Sequence, residues 1–244
     1  MKNQKSRDIM RAVILAGGKG TRLLPYTTIL PKPLMPVDQQ PIVEIVIRQL
    51  QYHGFTRITL ALGHLAHLIK AVLGDGRHLQ VDIDYSLEAT PMGTSGPLSL
   101  IKDLDPTFLV MNGDVLSDID FTDVLRFHRS QQAIATVAVH RRKVHIDYGV
   151  LHREGYRLLQ YKEKPSIDYE VSTGIYMFEQ KVLDYIAPYA YLDFPELVQV
   201  LINHGERVVC YPFDGIWFDL GRIEDFHHVQ DQIDHLKNSI PFFA

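Results

Sequence analysis

Apolar and polar positions follow two rhythms along this chain. Short apolar runs at Ala12–Ala16, Ile58–Leu62, Val81–Tyr85 and Thr107–Met111 have the length and branching of buried strands. Between and after them apolar residues recur every three to four positions. That spacing predicts helices over Pro41 to Tyr52, His64 to Leu73, Gly96 to Lys102 and Asp120 to Arg129. Pro41 suits a first helical turn, Gly74 a helix end, and Asp120 an N-cap. Strand and helix in alternation imply a mostly parallel sheet with helices on both faces, an α/β fold. The second half is richer in strands: Ile134 to Val139, Gly149 to His152, Leu158 to Lys162, Ile175 to Phe178 and Val208 to Pro212. Helices are predicted at Phe194 to Asn203 and Ile223 to Leu236. No internal repeat or linker-like stretch interrupts the 244 residues, so one domain is the economical reading.

Composition narrows the class. With 46% hydrophobic and 22% charged residues, the chain is an ordinary globular one. Its net charge of −4 argues against sequence-independent binding of nucleic acid. No stretch approaches the ~20 apolar residues that cross a bilayer, and the apolar run at 12–16 is too short for a signal core. A cytoplasmic protein, with no membrane partner, is expected. The single cysteine, Cys210, excludes an intramolecular disulfide, fits a reducing compartment, and is expected to be a small buried hydrophobe. The basic run His140-Arg-Arg-Lys143 lies between two predicted strands and reads as a solvated hairpin or loop. Twelve histidines form no recognisable catalytic constellation; the pairs His64/His67 and His227/His228 read as surface residues.

The stretch after the first strand, Leu15-Ala-Gly-Gly-Lys-Gly-Thr-Arg-Leu-Leu-Pro, is bare in backbone and carries two cations. Glycines let backbone N–H groups approach phosphate where a Cβ would clash, and Lys19 and Arg22 add charge. The spacing fits neither the dinucleotide fingerprint nor the P-loop, so alone it supports phosphate binding only weakly. Downstream, Pro31-Lys32-Pro33 fixes the backbone on both sides of one lysine, so its ammonium meets a ligand with little entropy to lose. Asp114 follows the strand Thr107–Met111, and Asp219 follows the aromatic run Ile216-Trp-Phe. Hard divalent cations at phosphate sites take one or two such carboxylates.

Taken whole, G-G-x-G-T-R-L-x-P-x-T-x-x-x-P-K-P-L-x-P-V resembles the signature of the sugar-1-phosphate nucleotidylyltransferases. Later segments are similar to further motifs of that family, in the same order: Met92-Gly-Thr-Ser-Gly-Pro-Leu98, Asn112-Gly-Asp-Val115, Tyr148-Gly-Val150, Glu163-Lys-Pro165 and Trp217-Phe-Asp-Leu-Gly221. The likeness is strongest to the mannose-1-phosphate guanylyltransferase branch. It implies a Rossmann-like sheet whose residues 10–130 bind nucleotide, a strand-rich part over 131–225 that binds sugar phosphate, and a C-terminal helix and tail over 226–244. It implies a nucleotide cradle from Leu15, Ala16, Gly17, Gly18, Gly20, Thr21, Glu88, Gly93 and Thr94. Arg22, Lys32 and Asp114 become the catalytic residues, and Asp114 with Asp219 the ligands of Mg²⁺. Asn112, Gly149, Glu163, Lys164, Ser172 and Thr173 fall to the sugar phosphate. The substrates implied are an NTP, most simply GTP, and a mannose-, heptose- or related hexose-1-phosphate; the protein is expected to be a monomer or homodimer.

Two positions bear on specificity. Thymidylyltransferase relatives carry Gln where this chain has Glu88, and a carboxylate can only accept hydrogen bonds. Guanine offers it two adjacent donors, whereas uracil and thymine offer one N–H between two carbonyls. Ser172 stands where the mannose enzymes usually carry Asn, which leaves the sugar open. A glucose-1-phosphate thymidylyl- or uridylyltransferase is one alternative. A catalytically idle sugar-nucleotide sensor is another, although Arg22, Lys32, Asp114 and Asp219 are all present. A glycosyltransferase on a similar sheet would show Asp-x-Asp after a strand, and Asn112-Gly-Asp-Val115 is not one. The final Ile240-Pro-Phe-Phe-Ala244 suggests a dimerisation or capping role.

Overall fold

The structure, a computed structural model, describes residues 10–239. Its centre is a seven-stranded sheet in the order β12-β8-β11-β6-β1-β4-β5. β1 (Met10–Ala16) lies between the strands that neighbour it on either side in the sheet, and all its pairings are parallel. A two-stranded turn, β2 (Pro36–Val37) and β3 (Gln40–Pro41), leads into α1 (Ile42–Tyr52). Then come β4 (Phe55–Leu62), α2 (Ala66–Leu73), β5 (Asp82–Leu87), β6 (Thr107–Asn112), β7 (Val115–Ser117) and α3 (Phe121–Gln131). β8 (Ala135–His145) and β11 (Ser166–Glu179) form a long antiparallel ribbon, with the hairpin β9 (Val150–Glu154) and β10 (Arg157–Lys162) between them in sequence. α4 (Phe194–Asn203), β12 (Val208–Phe213), β13 (Trp217–Asp219), α5 (Ile223–Asp231) and α6 (Ile233–Ser239) complete the order. Only β11 runs against its neighbours in the large sheet.

Period-two alternation divides the core into two layers. Ala12, Ile14, Ala16, Leu109 and Met111 face the cluster that holds α1, α2, α3 and α5. Val13, Phe108, Val110 and Phe178 face the other cluster, which includes Phe194, Leu197 and Leu201 of α4. The alternating strand-helix pattern of the first half therefore matches the layers found. Among the described residues no helix is long and apolar enough to cross a membrane.

Four expectations need correction. The segment Gly96–Leu100 is a short 3₁₀ turn rather than an α-helix, with Pro97 near its start and the Ser99 hydroxyl donating back to the Gly96 carbonyl. The helix predicted over Ile223–Leu236 breaks at Gln232, whose φ of −107° leaves helical geometry, giving α5 and α6. The run His140–Lys143 sits inside β8, paired residue by residue with β11, because it alternates faces rather than bending. Cys210 is exposed, since β12 is the edge strand and alternate residues of an edge turn outward. The Ile240–Ala244 tail lies outside the described residues.

His128, on α3, is a buried polar device. Its ring is wholly buried, with Nδ1 2.8 Å from Thr136 Oγ1 and Nε2 3.1 Å from Glu179 Oε1. Burial pushes its pKa below the usual histidine value, and the Glu179 carboxylate opposes this only in part. The unfolded chain therefore takes up a proton at this histidine first as pH falls below ~6.5. Its contribution to stability is complete above that pH and is lost as pH falls towards the depressed folded value. Melting temperature should drop between pH ~7.5 and ~5.5, and His128→Asn should flatten that slope. An unchanged slope would assign the loss to other groups.

Candidate active site

The sheet order places β1 between β4 on one side and β6 on the other, and ligands of open α/β sheets settle at the carboxyl ends of strands where connections diverge. A cavity of about 930 Å³ opens there. The glycine loop after β1 supplies one wall through Leu15, Ala16, Gly17, Gly18, Gly20 and Arg22. Gly20 has φ +62°, and a Cβ on it would lie 2.8 Å from Thr27 Cγ2; the Thr27 hydroxyl donates to the Gly20 carbonyl at 2.9 Å. Thr21 begins the next turn, is exposed, and does not line the cavity.

Glu88, just past β5, enters the opposite wall. Its Oε2 accepts from the Met92 N–H at 3.1 Å. Its Oε1 lies over two glycines: a Cβ on Gly17 or Gly63 would stand 2.7 or 2.6 Å from it. Burial raises the Glu88 pKa, countered by the Met92 N–H. The side chain thus caps the following turn and also faces the cavity.

The two prolines flank Lys32, but Lys32 opens a turn rather than taking the extended geometry expected of a residue before a proline. Pro31 is extended (φ −65°, ψ 141°), and Lys32–Leu34 forms a single 3₁₀ turn. Lys32 is 8% exposed, and its ammonium makes an ion pair with Asp114. Asp114 lies in the turn between β6 and β7. β7 pairs antiparallel with β13, setting Asp219 opposite Val115, while the Leu220 N–H donates to the Asp114 carbonyl at 3.1 Å. Burial raises the Asp219 pKa, the Asp114 charge raises it further, and Lys32 and Arg22 oppose both. Arg22 passes close to Gly221, where a Cβ would stand 3.0 Å from Nη1. Arg22, Lys32 and Asp114 therefore line the glycine-walled cavity, while Asp219 stands outside its lining but within electrostatic reach of all three. Among the described residues no three His, Cys, Asp or Glu side chains gather into a larger metal cluster.

The sugar-side residues are placed differently. Asn112 lines the cavity and packs on Gly174, where a Cβ would meet its amide. Gly149, Glu163 and Lys164 lie on the exposed hairpin region. There a Cβ on Gly149 would overlap the Tyr161 hydroxyl, which donates to Glu163 Oε2 at 3.0 Å. The Ser172 hydroxyl is 3.0 Å from that of Tyr176, and the buried Thr173 hydroxyl donates to the Ala138 carbonyl. None of these five lines the cavity.

Sequence reasoning missed Gly63, His64, Tyr191 and Asp193, all in the cavity wall. Gly63 had a signal, a glycine directly after a strand that neighbours β1. Asp193 had none, because its partner is remote in sequence. It heads α4 in a capping box with Glu196, yet its Oδ1 also accepts from the Thr94 N–H at 2.9 Å and its hydroxyl at 3.2 Å. Leu192 is tied to Met92 and Ser95 by backbone bonds. The segment around Thr94 is thereby clamped, and Gly93 is what lets it approach. Gly93 has φ +76°, and a Cβ there would stand 2.5 Å from the Leu192 carbonyl oxygen. Gly93→Ala should cost about 1–3 kcal/mol of stability, and, if the cradle is the nucleotide site that the resemblance implies, raise the KM for NTP at least ~10-fold by moving Thr94. Unchanged melting and KM would show that the clamp yields without cost.

Comparison with known proteins agrees with this architecture. The chain is 34% identical to the UTP--glucose-1-phosphate uridylyltransferase of a Synechocystis strain, over 89% of its own length and 61% of that protein's. It is 32% identical to mannose-1-phosphate guanyltransferase beta-B of Xenopus laevis, covering 89% of itself and 62% of the relative. It therefore spans about three fifths of the length of these relatives. The crystal structure of HddC from Yersinia pseudotuberculosis, complexed with GMP-PN, has the same fold, with a TM-score of 0.71 at 21% identity over 92% of this chain and 99% of that one. Residues 11–235 match the model of the family described as Nucleotidyl transferase, and this chain belongs to that family.

Proposed function

We infer that this chain transfers a nucleoside monophosphate from an NTP, with GTP favoured, to a mannose-, heptose- or related hexose-1-phosphate, releasing pyrophosphate. The observation that carries the reading is the meeting of Arg22, Lys32, Asp114 and Asp219 beside a glycine-walled cavity. The attacking oxygen of a sugar 1-phosphate is already ionised near neutral pH, so the chemistry needs no general base. It needs position and charge. The glycine loop accommodates the triphosphate, and Arg22 and Lys32 stabilise charge on the α-phosphate and the leaving pyrophosphate. Glu88 faces the base. Glu163 and Lys164 serve the sugar hydroxyls and its phosphate.

A divalent cation fits the carboxylate pair. Asp219 resists ionisation beside Asp114, so a cation between them relieves a repulsion that the fold itself imposes. Asp114 and Asp219 would hold Mg²⁺, which when bound supplies charge neutralisation at the phosphates. The uridylyltransferase relative keeps a second reading in view, in which UTP and glucose 1-phosphate are used. A grid of GTP, ATP, CTP, UTP and dTTP against mannose 1-phosphate, glucose 1-phosphate and heptose 1-phosphate, read by pyrophosphate release, separates the two. Highest kcat/KM with UTP or dTTP would overturn the guanylyl assignment, and no release with any pair would overturn the activity.

A further inference from the structure

Trp217 is the chain's sole tryptophan, and it stands where the β8–β11 ribbon meets β13. Its indole N–H donates to the Thr173 carbonyl at 3.0 Å. The His140 ring stacks with it at 5.6 Å between centroids and 29° between planes. The Arg142 guanidinium lies 4.9 Å from the indole centroid.

The ribbon has two unlike faces. One carries Arg141 opposite Glu170 and Lys143 opposite Asp168, the latter pair 3.8 Å apart. The other carries His140, Arg142 and Val144 opposite Val171, Tyr169 and Ile167. Arg142 is therefore the one basic residue of the 141–143 run that has no carboxylate across the ribbon. A cation–π contact orients a guanidinium while leaving its in-plane N–H donors unused. Trp217 and Asp219 are two apart on one strand, so both side chains leave the same face of β13. The guanidinium of Arg142 therefore lies over the residue that shares a face of β13 with Asp219.

We propose that Arg142 joins Lys164 in binding the phosphate of the incoming sugar 1-phosphate. This rests on the activity proposed above. Of the three cations that line the cavity, Lys32 is engaged by Asp114, Arg22 lies beside Gly221, and Lys19 belongs to the glycine loop itself. The second phosphate must arrive from the ribbon side as a dianion, and a planar fork of donors suits it.

Trp217 under the guanidinium makes the binding visible without turnover. In titrations of the wild-type protein without NTP, mannose 1-phosphate and glucose 1-phosphate should change the tryptophan emission, whereas free mannose and glucose should not. Arg142→Gln should raise the apparent Kd at least ~10-fold, with Arg142→Lys intermediate. In turnover, the KM for sugar 1-phosphate should rise by a similar factor while the KM for NTP holds. Arg142→Gln titrating like wild type, free sugars matching their phosphates, or no emission change in wild type would each overturn the assignment. Absence of pyrophosphate release from every substrate pair defeats the proposed activity alone, because the titration reads binding and not transfer.

Discussion

Asp219→Asn and Asp114→Asn are each expected to lower turnover at least ~100-fold while the protein stays folded. The amide keeps the size of the carboxylate and loses the charge that would hold the proposed cation among phosphates. The two substitutions should part company in stability. Asp219 is pushed towards its protonated form by burial and by Asp114, so its ionised form is disfavoured in the metal-free fold. Its folded pKa is raised, so the stability it gives is complete at acid pH and is lost as pH rises from the ordinary carboxylate value to the folded one. Asp219→Asn should therefore melt no lower than wild type at neutral pH without metal. Asp114→Asn leaves the buried Lys32 ammonium without its partner and should melt lower. Turnover and melting curves, with and without Mg²⁺, check both. Near-normal turnover in either variant at saturating metal would remove that residue from the site, and a lower melting point for Asp219→Asn would show that its charge is not repelled.

The second large effect concerns the base. Wild type should prefer GTP over UTP and dTTP, and Glu88→Gln should narrow that preference by ~10-fold or more, or invert it. Oε2 of Glu88 already accepts from Met92, yet each carboxylate oxygen has two lone pairs, so both can still face the guanine N1–H and amino group. A pyrimidine would set a carbonyl against the anion. Glutamine supplies the donor that a pyrimidine carbonyl needs, and it fits between Gly17 and Gly63 because it matches glutamate in shape. The measurement is kcat/KM for GTP, UTP and dTTP in both proteins. Ratios that do not move would confine Glu88 to holding its turn.

The layers, the glycine loop and the proline-held lysine were legible because each is a local pattern with a local cause. Alternation on β1 and β6 sorted Ala12, Ile14, Val13 and Val110 onto their faces. What escaped was set by pairing across distance. The β8–β11 ribbon is 11 and 14 residues long, far beyond its apolar cores, because charged and apolar residues alternate across the two strands rather than cluster along either. Cys210 looked buried from its neighbours, yet exposure follows from its strand being at the edge. Asp193 escaped notice, and its hold on Thr94 emerges only once the two loops meet. The carboxylate pair lay between these cases: resemblance named both residues, and the β7–β13 ladder brings them together.

That ladder has a consequence for how the protein comes into being. Asp114 and Asp219 stand about a hundred residues apart, and the strand bearing the second is the last of the thirteen among the described residues. During synthesis from the N-terminus, six of the seven strands of the large sheet have emerged by Glu179, while the second carboxylate is still unmade. The cavity wall is itself completed only by Tyr191 and Asp193, and the proposed metal pair later still, at Asp219. On the function proposed above, a chain lacking β13 would bind NTP without turning it over, and competence would arrive late, with the closing of a three-residue strand.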